Sequence, residues 1–410
     1  MCNNINGDNN NFSFIKCSYC GRDKKQVYLL INQFEVYICN VCIEKFYKLM
    51  SNKVIVKENI KFILNKINEM NPIYIKSYLD KYIIGQYEAK KTLSVSIYIH
   101  YKRIINNLLL NSNINIEKSN IILIGPTGTG KTYMLKTISK LLNVPFVIVN
   151  STSFTESGYV GEDVENILFK LFQKANYSVE LTEIGIVFID EIDKICKKNG
   201  RSFNTKDISG EGVQQALLKM LEGSIIDIPV LNSKNFIRRD TISINTENIL
   251  FIVGGAFVYL SNTIFNRLNK AKIGYTVEEN KFDKDDMYKY ITHFDLINYG
   301  FIPEFIGRLP VIANTNKLEV IHFKKIILEV KDSILLQYKK LFEIEKKKIF
   351  ITNRGIDLII KKSIILGIGA RGLKNIFNKI FRNIFYNIVF LKQIIVINKK
   401  FIKKVLFTYE

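Results

Sequence analysis

The stretch Asn120-Ile121-Ile122-Leu123-Ile124-Gly125-Pro126-Thr127-Gly128-Thr129-Gly130-Lys131-Thr132 decides the fold. Residues 120–124 read as a buried strand, and the chain from Lys131 reads as a helix. Between them lies a Gly, four residues, then Gly-Lys-Thr, the pattern of a phosphate loop. The chemistry needs these residue types. Glycines let successive backbone N–H groups wrap phosphates at a helix N-terminus. Lys131 can reach β- and γ-phosphates, and the Thr132 hydroxyl can ligate Mg²⁺.

Working outward, residues 145–149, 185–189 and 249–253 are short apolar runs separated by helical patterns. That rhythm predicts a parallel sheet covered by helices on both faces. The run Ile186-Val187-Phe188-Ile189 ends in Asp190-Glu191. At a strand's carboxyl end both carboxylates can face the nucleotide crevice, Asp190 toward Mg²⁺ and Glu191 toward an attacking water. Residues 86–110 carry apolar side chains at helical spacing. After Pro310 the pattern reads as helical, apart from β-like runs at 348–351 and 393–397.

Toward the N-terminus, Cys17-x2-Cys20 and Cys39-x2-Cys42 are separated by 18 residues, the spacing of a four-thiolate zinc site. Four protein ligands leave no open position, so the zinc is expected to be structural. Residues 52–71 are polar with scattered apolar side chains and read as a linker running into a weak helix.

The chain has 410 residues, too many for one ordinary domain, with 47% hydrophobic and 24% charged residues. Six cysteines in this length are not a disulfide framework. No secretory leader and no apolar run of membrane-spanning length is read, so a reducing cytosol is expected. The net charge of +21 would suit an acidic partner such as nucleic acid. The richness in Ile, Asn, Lys, Tyr and Phe, whose codons are AT-rich, supplies a purely compositional reading instead. From Glu345 onward 15 Lys/Arg stand against 3 Asp/Glu, which reads as a solvated basic face.

Three further features carry chemistry only in combination. Arg308, in Ile302-Pro303-Glu304-Phe305-Ile306-Gly307-Arg308-Leu309-Pro310, and Arg371, in Gly369-Ala370-Arg371-Gly372-Leu373, could each stabilise a transferring phosphoryl group. Taken singly, each reads as a surface ion-pair partner. Gly158-Tyr159-Val160-Gly161 could grip another chain, though alone it reads as a turn with a half-buried Tyr.

Together, in this order along nearly the whole length, these motifs resemble the ClpX family of AAA+ unfoldases. The resemblance runs from the zinc cysteines through 79–86, the phosphate loop, 158–165, 188–195, 209–218, 254–257, 302–310 and 369–373. It implies an AAA+ P-loop ATPase: a parallel sheet flanked by helices, a small mainly helical C-terminal domain and an N-terminal zinc-binding module. The expected boundaries are 1–51 for the zinc module, 52–71 for the linker, 72–311 for the large AAA+ domain and 312–410 for the small one. The implied cofactors are ATP, Mg²⁺ and Zn²⁺.

The resemblance also implies a homohexameric ring in a bacterial cytoplasm that unfolds tagged or adaptor-delivered proteins and passes them to a ClpP-like peptidase. Arg308 then matches the arginine finger and Arg371 the second sensor. Ile83 and Ile84 match the apolar stretch against adenine. Tyr159 and Val160 match the main pore loop, and Lys206, in Thr205-Lys206-Asp207, a second one. Where the family carries Arg-Lys-His at the pore entrance, this chain has Lys234, Asn235 and Phe236, with Arg238 and Arg239 close by. The family's docking tripeptide Ile-Gly-Phe appears as Ile273-Gly274-Tyr275, and the stretch after it is shortened. A stand-alone chaperone is the alternative reading, and a nucleic-acid motor a further one. The histidines His100, His293 and His322 are isolated, so proteolysis is expected to belong to a partner.

Overall fold

A computed structural model of the chain describes residues 16–33, 36–107, 116–154, 162–196, 208–229, 241–270, 284–388 and 392–407. The chain divides into two compact units, Met1–Phe62 and Ile63–Glu410.

In the first unit, strands β1 (Leu30–Gln33) and β2 (Val36–Cys39) form an antiparallel hairpin. The helix Asn40–Asn68 begins directly after it. Residues 52–68, read from sequence as a linker leading into a weak helix, are therefore helical. Apolar residues at 60, 63, 64 and 67 supply the helical spacing, and Leu64 and Ile67 are buried.

The second unit is built on a five-stranded sheet. Its strands are β3 (Ile121–Ile124), β4 (Phe146–Asn150), β5 (Ile186–Asp190), β8 (Leu250–Gly255) and β9 (Val311–Asn314). They lie in the order β4-β5-β8-β3-β9, every pair parallel. β3 and β8 are buried along their whole length, as a sheet covered on both faces requires. The carboxyl ends of β3, β5, β8 and β9 lead into the phosphate loop, Asp190-Glu191, Ala256 and Thr315. That is where an open parallel sheet binds its ligand. A separate antiparallel hairpin joins β6 (Ile225–Pro229) to β7 (Thr241–Asn245).

β9 corrects the sequence reading, in which the chain after Pro310 was helical. Four residues, Val-Ile-Ala-Asn, are too few to show a period. What makes them a strand is the slot beside β3, with Ile121 opposite Val311 and Ile124 opposite Asn314.

Beyond β9 the chain is mainly helical, with helices Val320–Leu328, Ile334–Ile344, Asn353–Ile365, Ala370–Tyr386 and Lys399–Phe407. β10 (Lys348–Ile351) and β11 (Ile394–Ile397) pair in parallel, where the sequence placed β-like runs. The helix Ala370–Tyr386 buries Leu373, Ile376, Phe377, Ile380, Phe381 and Ile384, one continuous apolar stripe. These side chains join Phe342, Ile359 and Ile402 in a core of their own.

The N-terminus of that helix touches the phosphate loop. Ala370 N donates to Gly128 O at 3.0 Å. Gly369 adopts φ 59°, ψ −145°, a conformation essentially reserved for glycine. A Cβ there would lie 2.8 Å from both Thr127 O and Gly128 O. Gly369→Ala is therefore expected to lower nucleotide affinity by about tenfold or more, because strain of about 1–3 kcal/mol is relieved by moving the helix off the loop. A nucleotide titration beside a melting curve checks this: unchanged affinity would mean the close approach is dispensable.

Candidate functional site

The phosphate loop is held from both sides. Gly125, Gly128 and Gly130 have φ of 145°, 75° and 97°, values that L side chains rarely adopt. A Cβ on Gly125 would collide with Thr315 Oγ1 and O, and one on Gly128 with Ile368 O. Thr129 Oγ1 lies 2.8 Å from Thr315 Oγ1 and donates to Pro126 O at 3.0 Å. Lys131 points into the loop, where its ammonium donates to Gly125 O and, at 2.9 Å, to Pro126 O. Burial pulls this ammonium down to about 8, while Asp190 and Asp193 pull the other way.

Thr132 Oγ1 donates to Asp190 Oδ2 at 3.1 Å. A hydroxyl and a carboxylate so placed are the hard oxygen donors Mg²⁺ prefers, so the residues present fit that ion. Glu191 follows with φ 59°, strained for a residue with a side chain. Its N–H bonds Asp190 Oδ1 at 2.9 Å, and Ser151 Oγ donates to its carbonyl at 2.7 Å. Asn150, directly across from Asp190 in the sheet register, donates from Nδ2 to Glu191 Oε2 at 3.3 Å.

Residues Thr127 to Thr132 of the loop, Asp190 and Glu191 line a cavity of about 600 Å³. One wall is Ile83 and Ile84 with Tyr82, another the loop from Thr127 to Thr132. The helical region closes it with Leu318, Ile326, Val330 and Arg371. The apolar strip is fixed from behind, where Lys90 Nζ donates to Ile83 O at 3.2 Å and pairs with Asp80. Gln86 Nε2 donates to Asn316 O at 2.7 Å, and Asn316 N donates back to Gln86 Oε1 at 2.8 Å.

The structure thus brings together Ile83, Ile84, the loop residues, Asp190, Glu191 and Arg371. It does not bring Arg308 to them. Arg308 O accepts from Asn120 Nδ2 at 3.0 Å, and Asn120 precedes β3, whereas the loop follows it. Four residues of strand, roughly 13 Å, separate the two ends. Tyr159, Val160, Lys206, Lys234, Asn235, Phe236, Arg238, Arg239, Ile273, Gly274 and Tyr275 lie outside the described residues. The sequence reading missed Asn150, Asp193, Tyr82 and Thr315. Only Asn150 has a local trait, being the polar end of an apolar strand, and that trait does not by itself mark a role.

In the zinc module the four Sγ atoms of Cys17, Cys20, Cys39 and Cys42 all lie within 4.8 Å of one another. Cys17–Cys42 is 3.9 Å and Cys20–Cys39 is 3.6 Å, close to the roughly 3.8 Å edge of a tetrahedral Zn–S₄ centre. Backbone N–H groups of Cys39 and Cys42 donate to Cys17 Sγ and Cys39 Sγ, each at 3.4 Å. Cys42 sits in the first turn of the helix Asn40–Asn68, where the helix dipole favours a thiolate. Burial, and then the sulfurs of Cys20, Cys39 and Cys17, push the Cys42 thiol up to about 12. Four thiolates this close call for a cation. Among the described residues, the local core apart from the cysteines is Val27, Leu30, Ile38 and Phe46, so metal must supply much of the folding energy.

A phosphate loop and an acidic strand end on a parallel sheet, with an arginine lent by a helical region, define an AAA+ ATPase, here carrying a four-cysteine zinc module. Residues 116–312 match the model of the AAA domain (Cdc48 subfamily), and residues 15–52 that of the ClpX C4-type zinc finger. The chain is 44% identical over 378 residues to a protein of Bacteroides thetaiotaomicron, the ATP-dependent Clp protease ATP-binding subunit ClpX, covering 91% of each. It is 43% identical over 368 residues to the protein of the same name from Porphyromonas gingivalis, covering 88% of each. The chain belongs to the ClpX family. It is an ATP hydrolase rather than a protease, it uses ATP and Mg²⁺, and its cysteine module is a zinc site. Among the described residues, no helix is long and apolar enough to cross a membrane.

Phosphates favour the charged form of Lys131, so above pH 8 nucleotide binding must take up a proton. Affinity for ATP should fall as pH rises through about 8, by up to about tenfold per unit. Lys131→Arg, which does not titrate in this range, should give a flat profile from a weaker start. Titrations between pH 7 and 9.5 check this, and a flat wild-type profile would count against a charged Lys131 as the phosphate ligand.

Chelation should release one zinc per chain and abolish amide-exchange protection across 16–48, because few apolar side chains remain to hold that segment. Nucleotide binding by the second unit should stay within about twofold. Elemental analysis and exchange mass spectrometry on the full chain read both. Protection that survives complete zinc loss would rule out a structural metal.

Proposed function

We propose that the chain is an ATP-dependent protein unfoldase and translocase. It works as a homohexameric ring in a bacterial cytoplasm and feeds tagged or adaptor-delivered substrates to a ClpP-like peptidase. One observation carries the ring: the cavity has Arg371 from the chain's own helical region, while Arg308 stands at the opposite end of the sheet. An arginine there is out of reach of its own subunit's nucleotide, which supports a role at a neighbour's. The relatives named as an ATP-binding subunit of a protease support the partner.

Backbone N–H groups of the loop and the Lys131 ammonium hold the phosphates, and Ile83 and Ile84 take the adenine. Thr132 and Asp190 would hold Mg²⁺, which would supply charge neutralisation on the phosphates. Glu191 orients the attacking water and accepts its proton, with Asn150 fixing the carboxylate. Arg308 of the next subunit stabilises the charge that develops, and Arg371 senses it. Tyr159 and Val160 would carry the motion to the substrate, and the described residues that flank the segment 155–161 are tied together. Glu162 N donates to Ser153 O at 3.2 Å, and Glu162 pairs with Lys170 at 2.5 Å.

A second reading, a chaperone without a peptidase, is favoured by Tyr275 at the position of the family's docking Phe. A phenol must find a hydrogen-bond partner in an apolar cleft, where Phe need not.

The test is a tagged fluorescent protein incubated with the chain and ATP, with and without a ClpP-like peptidase. Fluorescence should fall in both cases and peptides should appear only with the peptidase. Fluorescence loss without peptides would leave the chaperone reading standing. Glu191→Gln should bind ATP yet lose about 10²–10⁴-fold in hydrolysis and all unfolding. Hydrolysis within twofold of wild type would remove Glu191 from its role.

A further inference from the structure

Arg308 is not a loose surface arginine. Its Nε donates to one oxygen of Glu222, Oε1, at 3.1 Å, and Nη2 lies 3.0 Å from the same oxygen as an ion pair. No other described residue bonds the guanidinium. An exposed ion pair of this kind is ordinarily worth little, about 0–1 kcal/mol, and ordinarily says nothing. Here the two backbones are fixed beside each other before the side chains meet. The buried Asn120 donates from Nδ2 to Leu221 O at 3.1 Å and to Arg308 O at 3.0 Å. One amide therefore ties the residue before Glu222 to Arg308 itself. The fully buried Gln214, on the same helix as Glu222, adds a second tie. Its Oε1 accepts from Ile302 N at 3.0 Å, and its Nε2 donates to Ile195 O at 3.0 Å.

A guanidinium is a rigid planar fork with two usable edges. Glu222 takes the Nε–Nη2 edge and leaves the Nη1 edge open. We infer that Glu222 is the positioning residue for Arg308: it fixes the plane of the guanidinium so that the open edge faces the neighbouring subunit's phosphates. This deepens the reading above and rests on Arg308 acting in trans.

Glu222→Ala should lower kcat for ATP by about 10–100-fold, the size expected when a charge-stabilising group is misplaced rather than removed. KM should stay within about twofold, since the nucleotide is bound by the other subunit's loop. The melting temperature should stay within about 2 °C, because the pair is half-exposed. Glu222→Gln keeps an acceptor oxygen and should recover to within about threefold of wild type.

Ring mixing locates the effect. Glu222→Ala subunits diluted into an excess of Glu191→Gln subunits gain neighbours with an intact Arg308–Glu222 pair. Hydrolysis per intact Glu191 should then rise several-fold, while wild type diluted the same way should not rise. Arg308→Ala diluted into Glu191→Gln is the control for trans action.

Recovery in that control together with wild-type kcat for Glu222→Ala would overturn this inference and leave the ring reading intact. No recovery in the control, with mixed rings demonstrated, would overturn both. A Glu222→Gln variant as impaired as Glu222→Ala, or a Glu222→Ala defect that dilution does not relieve, would also overturn it.

Discussion

The second unit depends on one close approach: main chain presses against the phosphate loop from two directions, and only glycine tolerates it. Thr315, at the end of β9, lies where a Cβ of Gly125 would be, and Ile368 lies where a Cβ of Gly128 would be. Both neighbours come from beyond residue 310, so the loop's shape is set by chain far away in sequence. The same contacts bring helix N-termini together. The helix from Lys131 and the helix from Ala370 both begin at the loop, with Ala370 N bonded to Gly128 O. Two positive dipole ends and a buried ammonium converge on one spot, which suits a polyphosphate.

The segment after β9 therefore holds both the phosphate loop and the Ile83–Ile84 strip. Thr315 bonds the loop through Ile124 O and Thr129, and Asn316 bonds the strip of Ile83 and Ile84 through Gln86. Any change in the loop must be felt one residue from the place where the strip is held. The route from nucleotide to the helical region is thus main chain and short side chains, with little slack. Gln86 is held in a left-handed conformation to make this exchange, a strain the reciprocal hydrogen bonds offset.

Much of this was legible in the sequence. Ile121-Ile122-Leu123-Ile124 and Ile186-Val187-Phe188-Ile189 announce buried strands because a sheet covered on both faces needs unbroken apolar runs. The loop, the acidic strand end and the cysteine pairs are legible because their chemistry fixes both residue type and spacing. β9 was not, since Val311–Asn314 becomes a strand only by filling the place beside β3. Asn150, Thr315, Asn120 and Gln214 were not legible either. Each is an ordinary polar residue whose role comes from a partner between 41 and 188 positions away along the chain.

The two ends of the sheet use polarity in opposite ways. At the carboxyl ends, backbone N–H groups and side chains stand around an open cavity. At the amino ends, buried side chains are spent on carbonyl groups of the chain itself. Lys118 donates to Thr246 O at 2.8 Å, Arg103 to Glu247 O at 2.7 Å, and Asn120 to Leu221 O and Arg308 O. Burial draws Lys118 down to about 7, so that end tolerates a real desolvation penalty to keep its connections closed. Unpaired carbonyls there would cost about 1–3 kcal/mol each. The consequence is mechanical. Arg371 lines the cavity from a helix whose N-terminus is bonded to the phosphate loop, so its position answers to that loop. Arg308 is fastened to the closed end, so its position answers to the fold and not to the contents of the cavity.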